Sequence, residues 1–488
     1  MRTLGPWLLL LVGLAGAAPA AAPEVTLVVT PVCEDGANEP SVLAFALSLP
    51  AAGRPVFQLP DEVMGTRGAS GLISDATARD DGGPISLTRR VRDGVLELRP
   101  ARATRGTLTF EYRARSISAA GTGAVEGLRH DATGIGGHGR HFIVLPESQR
   151  RYRMRISWGA ATCPAGTRGE GASTFGGSAP SEIVGELSAL REAVYYWGLP
   201  QTTTADDGAL HLRTAWFGAT AIDVPAAGAW AAKVFAAERA FFGDDDPGPY
   251  SIFVRLLQSH EDRANGIGQE TSYLSWIGPK TTFARRLKVN IAHEMLHRWL
   301  GLRLRLRGAE GTAYWFSEGF TVHYASVIAF RAGQFSVDEF LETINDIATR
   351  HFANKRAGAT NARIARDFVR DVDVSIVPYT RGALYAAELD TALRRASGGK
   401  RTLDDLLRAL YVRARGSGAL PGDAVRRLVR AELGPSGVAR YDAVILGGRD
   451  PDPPADAYGP CFTRKPRAPK GFTWERVPGV PDTQCHVW

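Results

Sequence analysis

The stretch "KVNIAHEMLHRWLGLRL", Lys288 to Leu304, decides how the rest of the chain is read. On a helix, positions four apart lie on one face, so His293 and His297 can aim their imidazoles at a single ion. Glu294 is offset by about 100° from His293 and can reach a water held by that ion. Such an H-E-x-x-H pattern suits zinc. Helical histidines and glutamates also occur on ordinary solvated faces, and the motif alone leaves both readings open.

Further along, "AYWFSEGFTVHYASVIAF" places Glu318 on a second apolar helix, with twenty residues between His297 and Glu318. A hydrolytic zinc needs a third protein ligand and one open position for water. Trp315, Phe316 and Phe320 would bury the turn around Glu318, and a buried carboxylate is costly unless it is paired or binds a metal. A basic residue elsewhere could pair with it. With two histidines upstream, zinc is the preferred reading, one ion per chain.

The two motifs together resemble the gluzincin metallopeptidases. Within them the chain is similar to the zinc aminopeptidases, both the glycyl aminopeptidase family and the alanyl/leucyl type. The resemblance runs from about Trp197 to Leu433. It implies zinc ligands at His293, His297 and Glu318, and a general base at Glu294. The span between His297 and Glu318 is longer than in the alanyl/leucyl type, which implies a small insertion near "RGAEGTA". A second stretch, "VPYTRGALYAAELD", is similar to the family's P-Y-x-K-G helix start. It carries the catalytic tyrosine to Tyr379, with Arg381 where Lys is usual. Its hydroxyl would donate to the oxyanion that develops at the attacked carbonyl. A third stretch, "NGIGQETSYLSWIGP", matches the amine-binding segment at Gly268 and Glu270, while Gln269 and Thr271 depart from the pattern. The resemblance implies that Glu270 binds the free α-amine of a peptide and that its strand pairs with the peptide backbone. The departures keep an endopeptidase and a non-peptide amide hydrolase as alternatives; an inactive binding protein on the same fold is a further alternative, against which all five positions, His293, Glu294, His297, Glu318 and Tyr379, are present.

Outside these motifs the chain sets the context. Its 488 residues are too many for one ordinary core, which implies two or three domains. The residues from about Glu24 to Leu199 read as short strands: "EVTLVVTP", "SVLAFALSLP", "GVLELRP", "GTLTFEYRAR" and "RYRMRISW" are rich in β-branched and aromatic residues between Gly/Asp breaks. The Gly-rich stretch Gly121–Phe142 carries His130, His138 and His141 at irregular spacing and reads as a surface loop rather than a metal site. A strand "HLRTAWF", a helix over Ala229–Gly243 and a strand in "DDDPGPYSIFVRLL" follow. Beyond Lys288 helices dominate. Ser336 with Glu339 forms a capping box flanked by Phe335 and Phe340, and further helices are read at Gly382–Ala396, "TLDDLLRALYVRA" and "DAVRRLVRAEL". His323 reads as a packed helix residue.

These readings give a multidomain α+β protein. An all-β sandwich or saddle spans 23–196, and a thermolysin-like zinc peptidase domain with a helical lobe spans 197–448. A Pro-rich tail over 449–488 is expected to wrap the surface. The first residues, "MRTLGPWLLLLVGLAGAAPAAAPE", have a basic start, a short apolar run and small residues before a cut near Ala20 or Ala22, so 1–22 reads as an export signal and the product as secreted or periplasmic. Four cysteines in an exported chain favour disulfides, and the preferred pairs are Cys33–Cys163 and Cys461–Cys485. The net charge of +7 is spread over 58 basic and 51 acidic residues with short basic runs, so a nucleic-acid partner is not expected. Stable membrane insertion is not expected either. The expected partner is a peptide substrate.

Overall fold

The computed structural model describes residues 22–486, apart from 35, 51–52, 64–65, 122–123, 207–210, 219, 247 and 258–263. The export signal read at 1–22 therefore lies outside the described residues except for its last position.

In the first part of the chain two sheets pack face to face. The larger has seven strands, with Glu24–Val32, Val42–Pro50 and Thr107–Arg115 side by side at its centre. Alternation along Thr107–Arg115 shows why it forms: Leu108, Phe110, Tyr112 and Ala114 are buried, and the residues between them lie nearer solvent. The inward faces meet Phe57, Leu59, Leu96 and Leu98 of a four-stranded sheet in one apolar core. Cys33 and Cys163 are bonded across this region, as the sequence reading preferred.

The Gly-rich stretch is not a surface loop. Arg129–Asp131 and Gly134–His138 are neighbouring strands of a five-stranded sheet, the second paired in register with Val194–Gly198, and His138 and His141 are buried. The glycines serve close approach. A Cβ on Gly134 would stand 2.2 Å from the Trp197 carbonyl oxygen, and one on Gly136 would meet the Tyr196 ring at the same distance. Arg255, reaching in from the next sheet, donates to the carbonyls of Arg129, Gly134 and Gly136. A buried guanidinium is tolerated there because backbone oxygens and Asp131 receive it.

That next sheet has five strands in the order Gln201–Asp206, His211–Phe217, Tyr250–Leu256, Ser272–Ile277, Ala264–Gly268. Its three inner strands are parallel, and Tyr250–Leu256 and Ser272–Ile277 are buried at every position. Both faces are covered, as parallel strands require. One face packs Phe217, Phe253 and Leu274 against Val194 and Tyr196 of the β-rich part. The other packs Tyr250, Ile252 and Val254 against helices Val224–Phe242 and Arg285–Leu296. In the second helix Leu287, Ile291 and Met295, spaced by four, make the stripe that meets the sheet.

The helical remainder surrounds Gly319–Arg331, which is buried along almost its whole length. Helix Val337–Ala353 starts with both bonds of the Ser336/Glu339 capping box, 3.0 Å each, and Leu403–Ser417 has a second box from Thr402 and Asp405. The helix expected at Gly382–Ala396 begins earlier, at Val372. Asp371 caps it by accepting from Asp373 and Val374, and the helix runs through Pro378. The tail is also more integrated than a surface wrap. Phe462–Pro466 and Phe472–Arg476 form a hairpin whose Trp474 backbone exchanges hydrogen bonds with the Asn345 side chain. Tyr458, Phe462, Trp474 and the bonded Cys461 and Cys485 lie inside the main apolar core.

Candidate active site

The motif helix Arg285–Leu296 ends just before His297, and Glu318 is the hinge residue between the short helix Tyr314–Ser317 and Gly319–Arg331. These elements bring His293, His297 and Glu318 together. His293 Nε2 lies 3.0 Å from His297 Nε2, and Glu318 Oε2 lies 3.4 and 3.3 Å from the two nitrogens. Ligand atoms about 2.0–2.1 Å from a tetrahedral zinc stand roughly 3.3 Å apart, so the spacing fits such an ion. The tautomer fits as well. His297 Nδ1–H donates to the Leu300 carbonyl at 3.1 Å, so once Nε2 gives up its proton to a metal its lone pair faces the other two groups. Among the described residues this is the one His/Cys/Asp/Glu group arranged to hold a metal ion.

Electrostatics point the same way. Burial alone would raise the pKa of Glu318, but His297 and His293 outweigh it and hold the carboxylate well below its ordinary range. Burial opposes a charge on His297, yet Glu318 pushes it up to about 9. The pocket therefore draws positive charge.

Glu294 is 5% exposed and sits beside this group. Burial raises its pKa, with His293, His297 and the Gly268 N–H opposing that rise. Gly268 closes the edge strand Ala264–Gly268 against the motif helix. A Cβ there would lie 2.6 Å from the Glu294 carbonyl oxygen and 2.9 Å from His297 Cβ, so only glycine allows the strand this close.

Tyr379 approaches from the opposite flank, its ring 6.0 Å from that of His293. Burial and then the nearby Glu318 and Glu294 push its pKa well above normal, so the hydroxyl keeps its proton. Its placement depends on a glycine crossing. A Cβ on Gly319 would be 2.4 Å from Gly382 Cα, and one on Gly382 would be 2.1 Å from the Trp315 carbonyl oxygen. The glycine of W-x-x-E-G-F thus touches the glycine that follows Tyr379 by three residues. Arg381 points elsewhere: it is buried, donates to the Ala357 and Ala359 carbonyls, and is brought down to about 10 by burial.

Glu270 lies at the turn after the edge strand. Its carboxylate accepts from Arg303 Nε at 2.9 Å, and its carbonyl accepts from Arg298 at 2.8 Å. Arg303 is braced by Asp244 and Asp246, 2.7 Å each. The carboxylate is still 57% exposed. Gln269, read from sequence only as a departure, is buried and hydrogen-bonded to His138 of the β-rich part. Sequence reasoning had no signal for that contact, which joins residues 131 positions apart. It also passed over Tyr314 and Phe368, whose rings lie 4.3 Å apart beside Tyr379. His323 is a packed helix residue, buried and lowered to about 3 by burial.

The family described as M61 glycyl aminopeptidase matches residues 287–369, from the motif helix past Glu318. No curated protein sequence matches significantly. Solved structures share the fold over most of the chain. An aminopeptidase N family protein from Idiomarina loihiensis superposes with a TM-score of 0.76 at 14% identity, over 91% of this chain and 80% of that one. An M1 zinc metallopeptidase from Deinococcus radiodurans gives 0.55 at 19% identity, over 89% and 95%. Native leukotriene A4 hydrolase from Saccharomyces cerevisiae gives 0.54 at 14% identity, over 89% and 69%. The gluzincin resemblance read from the motifs is borne out, and the family match over the motif helices together with the shared fold supports a zinc metallopeptidase.

Proposed function

We propose that this chain is an exported zinc aminopeptidase, with a catalytic domain over 197–448 flanked by a β domain at 23–196 and a tail at 449–488. The observation that carries the reading is the convergence of His293, His297 and Glu318 with Glu294 and Tyr379 on either side. The three ligands would hold one zinc, which when bound supplies a Lewis acid and brings the pKa of a water toward neutrality. Glu294 takes the proton of the attacking water and delivers it to the leaving amine. Its buried position favours a carboxylate that can carry a proton between the two steps. Tyr379, kept protonated, donates to the oxygen on which charge develops. Gly268 and Glu270 take the substrate's amino-terminal end. Export is supported by the two disulfides and by the leader-like composition of 1–22. No described helix is long and apolar enough to cross a membrane.

One observation favours an endopeptidase instead: Arg303 already pairs with the Glu270 carboxylate. The deciding experiment measures zinc per chain and turnover of free-amine aminoacyl amides beside N-blocked peptides, with Glu294→Gln as the control. One zinc, turnover of free-amine substrates alone, and a loss of about 10²–10⁴ in kcat for Glu294→Gln with zinc retained are the expected outcome. Turnover of blocked peptides would replace the aminopeptidase by an endopeptidase. Full activity of Glu294→Gln would remove the mechanism.

A further inference from the structure

The tyrosine helix carries an apolar track that the chemistry above does not use. The segment "RDFVRDVDV", Arg366–Val374, alternates charged residues with Phe368, Val369, Val372 and Val374. Val374 is buried, but Val369 and Val372 are 66% and 73% exposed, the two most exposed large apolar residues of this region. Exposed valines are ordinary when scattered. These two are not scattered. Phe368, next to Val369 in the chain, reaches the site, its ring stacked at 6.5 Å on that of Tyr379 and at 4.3 Å from that of Tyr314. Val372, Ile376 and Tyr379 fall at i, i+4 and i+7 of one helix, which puts them on one face. From Tyr379 back to Val372 is about 10 Å along the axis, the length of about three residues of extended peptide.

The direction of a substrate along this track follows from the two flanks of the histidine pair. Gly268, two residues before Glu270, lies against His297, whereas Tyr379 lies against His293. A peptide whose amino end sits at Glu270 must carry its scissile carbonyl past the ligands, so the departing segment runs toward Phe368 and the start of the tyrosine helix. We propose that Phe368, Val369 and Val372 form the subsite for the leaving side of the cleaved bond, and that it selects peptides with apolar side chains there. The inference rests on the aminopeptidase reading and extends it to a substrate class.

The test uses the zinc-loaded full chain and a series Ala-X-Ala-amide with X as Leu, Ser, Glu or Lys, each in free-amine and N-blocked form. The expected result is a preference of about tenfold or more in kcat/KM for Leu over Ser and over either charged residue, the scale usual for apolar pockets. Both valines are exposed, so serines there are compatible with the fold. A V369S/V372S double variant is expected to reduce the Leu-to-Ser ratio at least threefold. V372K is expected to raise the rate with Glu relative to Leu. A flat series in the wild-type chain, or ratios that both variants leave unchanged, overturns the subsite while the peptidase reading stands. Turnover of no member in either form overturns the peptidase reading and the subsite with it.

Discussion

The two flanks of the histidine pair are built on different plans. On the His293 flank, two helices cross at Gly319 and Gly382 with no room for a methyl group, and the Tyr379 ring lies tilted beside His293 and stacked on Phe368. On the His297 flank the edge strand also meets the motif helix at a glycine, Gly268, but the turn beyond it is held by arginines: Arg298 takes the Glu270 carbonyl, and Arg303 takes its carboxylate while Asp244 and Asp246 hold Arg303. Backbone-to-backbone contact fixes position to a few tenths of an ångström, whereas ion pairs fix charge and let position vary. In the proposed mechanism, the first plan suits groups that must meet a developing charge, and the second suits a group that meets one substrate end after another.

The contrast is most directly broken at Gly382. Gly382→Ala places a Cβ 2.1 Å from the Trp315 carbonyl oxygen, so the helices must separate and carry Glu318 away from the histidines. The expected outcome is near-complete loss of activity together with weakened zinc retention and a stability loss of about 1–3 kcal/mol, measured by metal content and thermal unfolding. A Gly382→Ala chain that keeps one zinc and full turnover would show that the crossing does not set the site. Next in size is Tyr379→Phe. It removes one donor and no packing, so kcat should fall about 10²–10³ with KM little changed and zinc retained. An equal rise in KM would instead assign the hydroxyl to substrate binding. The smallest effect belongs to the second flank. Arg303→Gln frees a half-exposed carboxylate, and such pairs are worth about 0.2–1 kcal/mol. If Glu270 receives the amine, KM for free-amine substrates should fall by about two- to fivefold while that for blocked peptides stays put. An equal change in both sets would separate Glu270 from amine recognition.

What could be read from the sequence, and what could not, divides along similar lines. Local chemistry was legible. The Ser336/Glu339 box, the alternating strand Thr107–Arg115, the four-residue spacing of His293 and His297 and the two cysteine pairs all depend on near neighbours or on simple counting. Glu318 was legible because its aromatic neighbours announce burial. Contacts between distant segments were not. Gly134 and Gly136 have the composition of a loop, yet they are glycines because Trp197 and Tyr196 press on them. Val372 to Tyr379 has little sign of a helix beyond Asp371, and Pro378 argues against one, but packing against Gly319–Arg331 extends the helix through it. Gln269 looked like a lost match to a pattern. Its partner His138 comes from another sheet, and no local rule could supply it.

The sheet that carries Val194 and Tyr196 has a consequence for how small this molecule can be made. Those side chains, with Ala172, are the cover over Phe217, Phe253 and Leu274, and Arg255 ends in carbonyls of the same sheet. A fragment beginning at the sheet that starts with Gln201–Asp206 would expose an aromatic face and a guanidinium stripped of its acceptors. The β-rich part is therefore not an accessory that can be trimmed away. It is half of the floor on which the edge strand stands, and truncation there should yield aggregation before it yields a minimal peptidase.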